Sequence, residues 1–467
     1  VLCQGDNYKP FKDFAENGGA VSSSGRVYNS YSFIAKDGVV HNFAATAGNL
    51  WKQSGSTWAK VSKSSTGSPY STATDGFWRF TEFGQRVIAT NLANEPQSYV
   101  VGTSTAFANL STSAPKMKNI ATLNNFVVGV HIDDGTIRPE RVQWSALAGP
   151  TDFVASPTTL SGYQDLSGNG GQNQAIIPTQ NYGLIVRERS LWRMEFVGAP
   201  SIWQFTQAET NRGTPCLNSI ASDGIMVYYL DNNGFFAFDG TRSTAIGNTK
   251  IDRYFQENLD NNYIDRVKAA VDPVNKFVVW AYPTSGSQGQ LTALIMYYWA
   301  ENRWSKADES LDTINSIYTS GLTLEQLSVL YPDIETVPFS FDSRVWSGGN
   351  PTLGGFSTAH KIGFFEGANK AATLETTEIA LNPGGRSYVS SVLPVTDSTG
   401  VYAKIKSRKN QYGSVTTSSS ATFSTNTNEI PFRVDDRFHR VELSIAAGST
   451  WELVQGIQFR AKPSGGR

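Results

Sequence analysis

The imidazoles and thiols available for chemistry are few: His41, His131, His360 and His439, with Cys3 and Cys216. None stands in a pattern that makes a site. There is no Gly-x-Ser-x-Gly, His-Glu-x-x-His, Cys-x-x-Cys or phosphate-loop Gly-Lys-Ser/Thr arrangement, so neither an activated nucleophile nor a metal cage is encoded locally. Two cysteines exclude a disulfide framework and a four-thiolate zinc site, and two reduced thiols are expected. The stretch "HIDDG" brings His131, Asp133 and Asp134 close in sequence. Strand alternation would send His131 and Asp133 to one face and Asp134 to the other, which predicts a strand end entering an Asp-Gly turn, not a metal site. The stretch "LSGNGGQN" at 166–173 resembles a dinucleotide loop, but Asn173 replaces the last glycine and no helix follows to present its N-terminus to phosphate. No carboxylate pair is marked as a glycosidase pair, and the Ser-x-Asp-x-Gly-x-x-Trp turns of sialidases are absent. Trp192, Trp203, Trp280, Trp299 and Trp304 could stack on sugars or bases if exposed; packing between sheets is the expectation. The sequence therefore nominates no catalytic, cofactor-binding or metal-ligating residue, and no enzyme activity is expected.

Bulk properties narrow the remaining classes. The 467 residues exceed one small domain, and charged residues make up only 17% while Ser, Thr, Asn and Gly supply the polarity. That composition favours strands and turns over helices. A net charge of −1 gives no field for tight nucleic-acid binding. The longest unbroken apolar run, residues 293–300, falls far short of the roughly 20 residues of a membrane helix, so no membrane span is expected.

The elements that would position any site announce themselves through turns. In "SDGIMVYYLDNNGFFAFDG" (222–240), two apolar runs flank Asp231-Asn232-Asn233-Gly234, a hairpin signal expected to form a type I′ turn. Both strands are apolar on both faces. A turn followed by such a strand recurs at Gly38, Gly84, Asn125, Gly183, Gly224 and Asn275, with spacings of 84 − 38 = 46, then 41, 58, 41 and 51. Periods near 40–50 residues are those of four-stranded propeller blades. Parallel sheets covered by helices would also bury both faces, but only "IDRYFQENL" (251–259) and "TLEQLSVLY" (323–331) read as helical. The fold class expected is all-β: a β-propeller over 31–366, with helical insertions near 250–260 and 323–331. Blades are expected at 28–61, 78–110, 119–145, 175–207, 219–246 and 266–307. Six are favoured, or seven if 311–366 supply another. Residues 1–30 form an N-terminal arm or closing strand.

From 367 to 467 the texture changes to short alternating strands divided by Gly, Ser, Thr and Asn, a β-sandwich pattern. Between 401 and 467 ten Lys or Arg face five Asp or Glu, a local +5 expected to be a solvated face.

Several long stretches carry a family resemblance. "ERSLWRMEFVGAPSIWQFTQAETNRGTPCLNSIASDGIMVYYLDNNGFFAFDGTRSTAIGNTKIDRYF" (188–255), "AAVDPVNKFVVWAY" and "YYWAENRWSKAD" resemble the tail hub or nozzle proteins of short-tailed bacteriophages, the packaged-DNA stabilisation or tail tube family. "WRFTEFGQRVIATN" upstream and "SFDSRVWSGGNPTLGGFSTAHKIGFFEG" and "TLETTEIALNPGGRSYVSSVLPV" downstream are similar to its other segments. No single motif is diagnostic; the order of many stretches carries the likeness. The resemblance implies a virion protein of the viral tail, assembled in the host bacterial cytoplasm as a homohexameric ring below the portal and head-to-tail adaptor. Such a ring forms the lower DNA channel, touches genomic double-stranded DNA loosely, retains it until DNA ejection and carries fibre, spike or needle proteins. It implies no cofactor. A propeller lectin or host-receptor binder, with loops 146–175 and 282–290 holding sugars, is the alternative, and a glycosidase the third.

Overall fold

All six recurrent turns fall at one structural position. The computed structural model describes residues 1–22, 25–73, 76–319 and 351–465, together with 328, 333, 335, 337 and 349. In it the turns join the first and second strands of six successive antiparallel sheets. Gly38, Gly84 and Gly224 hold φ of 81°, 60° and 94°, and Asn124-Asn125 turn with φ of 46° and 64°, the left-handed conformations that Gly and Asn adopt at least cost. The first strands of these sheets are Asn29–Ile34, Arg79–Phe83, Lys116–Leu123, Asn173–Pro178, Ala221–Ser222 and Lys268–Asp272. First strands of neighbouring sheets pack against one another. The chain is thus a β-propeller, each sheet a blade whose first strand is innermost.

The doubly apolar hairpin shows why the ring is stable. Val227–Asp231 and Gly234–Phe238 are buried at every residue. Tyr228, Leu230, Phe235 and Ala237 enter a core shared with blade 6, among Trp280, Ile295 and Tyr297. Val227, Tyr229, Phe236 and Phe238 enter another shared with blade 4, among Ala175, Leu184, Val186 and Leu191. Period-two alternation therefore sends each face of one blade into a different interblade core. The other described cores of this unit likewise join consecutive blades. The turn differs from the type I′ expectation. Neither Asn232 nor Asn233 has positive φ; Gly234 alone does, at 116°. The Asp231 carboxylate accepts the Asn233 amide at 3.0 Å, bracing a two-residue loop closed by the pairing of Asp231 with the positive-φ Gly234. A Cβ on Gly234 would lie 2.3 Å from the Asp252 carboxylate, which itself accepts the Phe235 amide. Asp252 opens the short helix Asp252–Asn258, so the helix end is pinned to the hairpin.

The favoured six blades become seven. Arg303–Tyr318 is a 16-residue strand that serves as the outer strand of blade 6 and then, after a register shift near Leu311, as the inner strand of blade 7. Blade 7 continues through Pro351–Ser357 and Lys361–Phe364 and is completed by Ala15–Ala20 from near the chain start. Gly18 and Gly19 suit this closing strand: a Cβ on Gly18 would lie 2.7 Å from the Ser56 carbonyl, which accepts the Gly19 amide at 2.6 Å. The Asp312 carboxylate accepts the Val27 amide at 3.0 Å and meets His360 Nδ1 at 2.5 Å, fastening the crossover from blade 7 to blade 1. The expected helix 323–331 and the stretch "PFSFDSRVWSGG" lie outside the described residues.

The second unit comprises Val1–Phe14 and Phe365–Arg467. Its two sheets are antiparallel. Leu2–Gln4 and Asn7–Lys9 extend the sheet of Val454–Ser464, Arg386–Thr396 and Ile430–Asp436, so part of the expected N-terminal arm is sandwich and only 15–20 is closing strand. The other sheet holds Ala372–Glu375, Phe438–Ile445 and Val401–Arg408, and the inward faces meet through Val389, Val392, Ala403, Ile405, Val441, Leu443 and Trp451.

Candidate functional site

The residues singled out in the sequence do not assemble into a reaction centre. His131 sits at a register shift with φ of 54°, so regular alternation fails there and its ring turns into the protein, where Nδ1 has no partner. Burial, then nearby Lys118, pulls its pKa down to about 4. Asp133 accepts the Gly135 amide, and Asp134 accepts Thr136 N and pairs with Arg138 and Arg141, an Asp-Gly turn as the sequence reading has it. His360 is committed to Asp312, and His439 is buried between Ser387 Oγ and the Asp436 carbonyl. His41 is half-buried on blade 1, and burial lowers its pKa. Cys3 and Cys216 are both buried free thiols. Among the described residues no group of three or more His, Cys, Asp or Glu is placed to hold a metal.

The tryptophans pack instead of offering platforms. Trp280 and Trp304 lie in the core between blades 5 and 6, donating to the Ser219 and Ile246 carbonyls, with Trp299 beside Tyr228. Trp203 and Trp192 fill the core between blades 3 and 4. The glycine-rich loop 166–173 is explained by Arg187, a fully buried guanidinium on the second strand of blade 4 that donates to the Gly171 carbonyl and pairs with Glu140. A Cβ on Gly170 would collide with Ser190 Oγ and then Arg187, and one on Gly171 with Glu188. The glycines make room for the Ser190, Arg187 and Glu188 side chains of the same blade.

What sequence reasoning missed is a polar cavity on the propeller axis. It has a volume of about 300 Å³ and lies at the end where the inner strands begin, lined among others by Phe77, Lys118, Gln174, Glu188, Leu217 and Asp265. These positions precede or open the inner strands of blades 2 to 6, apart from Glu188, which belongs to a turn of blade 4. No sequence spacing could join them. Lys118 donates to Gln174 Oε1. Burial lowers its pKa, opposed by Glu188 and Asp265. Glu188 accepts from Gln172 N and Gln174 Nε2, at 3.3 and 3.4 Å. Beside the cavity, Arg79 donates to the Leu217 carbonyl at 2.8 Å and Lys268 to Asn29 Oδ1 at 2.9 Å. Cys216 lies among these charges, and burial pushes its thiol up to about 12, so it is a neutral donor to the Val267 carbonyl. The arrangement offers donors, acceptors and one aromatic wall to a small polar ligand. It contains no nucleophile paired with a base.

The basic excess after residue 401 is largely offset on the outer face of the sandwich. Lys406 bridges Glu375 and Glu442, Arg440 pairs with Glu375, Arg408 with Glu378 and Arg460 with Glu429. Two of those acids precede 401, which is why a count restricted to 401–467 overstates the field. The loops considered for sugars separate: 146–161 joins the third and fourth strands of blade 3, whereas 166–172 and 284–290 lie at the opposite, cavity end of the ring. No helix among the described residues is long and apolar enough to cross a membrane.

No family model matches the chain, and no curated protein matches it either. Among solved structures, it is similar to the extracellular domain of a hybrid two-component system from B. thetaiotaomicron, with 10% identity and a TM-score of 0.43 over 91% of this chain and 48% of that one. The chain thus spans about half the length of that structure. It is also similar to Hsv2 of Kluyvelomyces marxianus, with 9% identity and a TM-score of 0.32 over 52% of this chain and 69% of that one.

Proposed function

We propose that this chain is a structural protein of a short bacteriophage tail, its hub or nozzle, with no catalytic role. The ordered resemblance of its segments to that family carries the reading. The physical character of the propeller is consistent with it: blades bury both faces against each other, Asp133, Asp134 and Asp231 brace turns, and Asp312 with His360 fastens the closure. A ring subunit that conducts DNA gains from stiffness and from a weakly charged wall, since each phosphate paired to a cation adds salt-dependent drag. In this role the subunits form a homohexamer beneath the adaptor and portal and carry fibres or spikes. Electron microscopy of the native particle tests it: a sixfold ring below the adaptor is expected, and a chain found outside the tail refutes it.

The axial cavity favours a second reading, a glycan-binding propeller, because amides, carboxylates and Phe77 are the groups that recognise a sugar. A glycan array separates the two, since a hub shows no saturable glycan binding at this cavity. Turnover of a glycan, abolished by Glu188→Gln or Asp265→Asn, would instead mark a glycosidase.

A further inference from the structure

We propose that the end of the propeller opposite the cavity docks on the sandwich of a second copy of this chain. Four turns at that end, on blades 1, 3, 5 and 6, share one construction. An aspartate side chain accepts the amide of the residue two places on: Asp37 from Val39, Asp152 from Val154, Asp223 from Ile225 and Asp272 from Val274, at 3.0, 3.0, 2.9 and 2.9 Å. Each aliphatic side chain so held is 41–63% exposed. Of the ten large apolar side chains exposed among the described residues of the propeller unit, eight lie at this end and only Ile137 at the cavity end. Isolated exposed apolar residues are ordinary, but a rigid set gathered on one face is the mark of an interface, and rigid turns lose little freedom on docking.

The docking face centres on blades 4 to 6. Blade 5 presents Ile225, with Val197 on blade 4 and Val274 on blade 6, and the Gln180 amide donates to the Gly224 carbonyl at 3.2 Å, tying one turn to the next. The turns of these three blades at that end carry Asp223, Asp239, Asp272 and Glu301 against Arg242 and Lys276, a net −2. That charge opposes a second copy of the same face and an anionic membrane alike; its complement is an apolar surface set among cations. The chain has one. On the outer face of the sheet of 372–375, 438–445 and 401–408, a groove of about 560 Å³ is lined among others by Glu378, Arg408, Val415 and Arg440. The loop from Arg408 to Val415 exposes Lys409 and the whole ring of Tyr412. Lys404, Lys406, Arg408, Lys409 and Arg440 face Glu375, Glu378 and Glu442, five cations against three carboxylates, which leaves +2. The asymmetry extends to the whole units: 15–364 holds 25 Lys or Arg against 29 Asp or Glu, the remainder 14 against 11, so −4 meets +3. Knobs and groove are different surfaces, so the contact is head-to-tail and closes into a ring or runs on as a chain. Only closure at six subunits rests on the tail reading.

The test is sedimentation velocity of the purified full chain over a concentration series up to about 100 μM, at low and high salt. Wild type should associate reversibly, and more weakly in high salt. Ile225→Lys with Val274→Lys should weaken association about tenfold or more with an unchanged circular dichroism spectrum, and so should Lys409→Glu with Tyr412→Ser; Ile137→Lys, at the cavity end, should not. Mixing the two double variants should restore a one-to-one complex, because each keeps one intact surface, an outcome that a face-to-face contact does not give. A monomeric wild type, association that survives either double variant, or a mixture without complex overturns the proposal. The tail reading fails separately, when native particles lack the chain in their tails even though purified chains associate.

Discussion

If each blade face belongs to a separate core, damage to the two faces of one strand must add without coupling. Phe235 and Phe238 test this, since both are fully buried, three residues apart on one strand, and they enter the cores facing blades 6 and 4 respectively. Replacing either by Leu removes three carbons, which at about 0.8 kcal/mol per buried CH₂ costs about 2 kcal/mol. Phe235 also meets the rings of Phe255, Trp280 and Trp304 at centroid distances of 4.9, 4.7 and 5.2 Å. Each ring pair adds roughly 0.5–1.5 kcal/mol, so the three together bring Phe235→Leu to about 3.5–6.5 kcal/mol. Urea unfolding followed by tryptophan fluorescence is the assay, since every tryptophan but Trp451 lies within 15–364 and so reports on the propeller unit. The double variant should equal the sum of the singles within about 0.5 kcal/mol, because the side chains stand about 10 Å apart and share no partners. A coupling above about 1 kcal/mol, or a cost for Phe235→Leu no larger than for Phe238→Leu, would refute the radial packing scheme.

Three further outcomes follow from the geometry. Gly234→Ala should destabilise by about 2 kcal/mol or more, from positive φ plus collision with Asp252, whereas Gly224→Ala, with open space around it, should cost only about 1 kcal/mol; adding Asp252→Ala should recover part of the Gly234 loss in thermal melts. His131 is held neutral by burial, so its folded pKa lies below its unfolded one: its stabilisation is complete above the ordinary histidine range and is lost as pH falls toward about 4, and His131→Gln should show a smaller drop in Tm over that interval. The Asp312 carboxyl is shifted the other way, upward by burial, so its contribution is present below the ordinary carboxylate range and is lost as pH rises through the folded pKa. Stability measured against pH should therefore move in favour of Asp312→Asn as pH rises, while hydrogen exchange at the Val27 amide quickens in that variant because a charged acceptor is gone.

Much of the propeller is legible because a blade buried on both faces must write apolar residues at consecutive strand positions, and the turn into its second strand must carry Gly or Asn. Those two marks placed six blades, and the alternating texture after 367 placed the second unit apart from residues 1–14. Blade 7 stayed ambiguous for physical reasons: its inner strand is the continuation of a strand already assigned to blade 6, and its outer strand, "AENGGA" at 15–20, shows no apolar alternation. The turn at Asp231 differs in type from the sequence expectation because Asn tolerates either hand, and it is positive φ together with the contact to Asp252 that requires the glycine at 234. The axial cavity was invisible because its walls come from several blades, with Phe77 and Asp265 nearly two hundred residues apart.

Joining Lys361–Phe364 to Ala15–Ala20 has a consequence for biosynthesis. The latch leaves the ribosome ahead of its keeper, so a nascent chain carries an unsatisfied ribbon edge through the making of every intervening sheet. Slow events in maturation are then long-range dockings of this kind, the pairing of Asn7–Lys9 with Val454–Ser464 being another, and a product truncated before residue 361 would present two open edges to other unfinished chains.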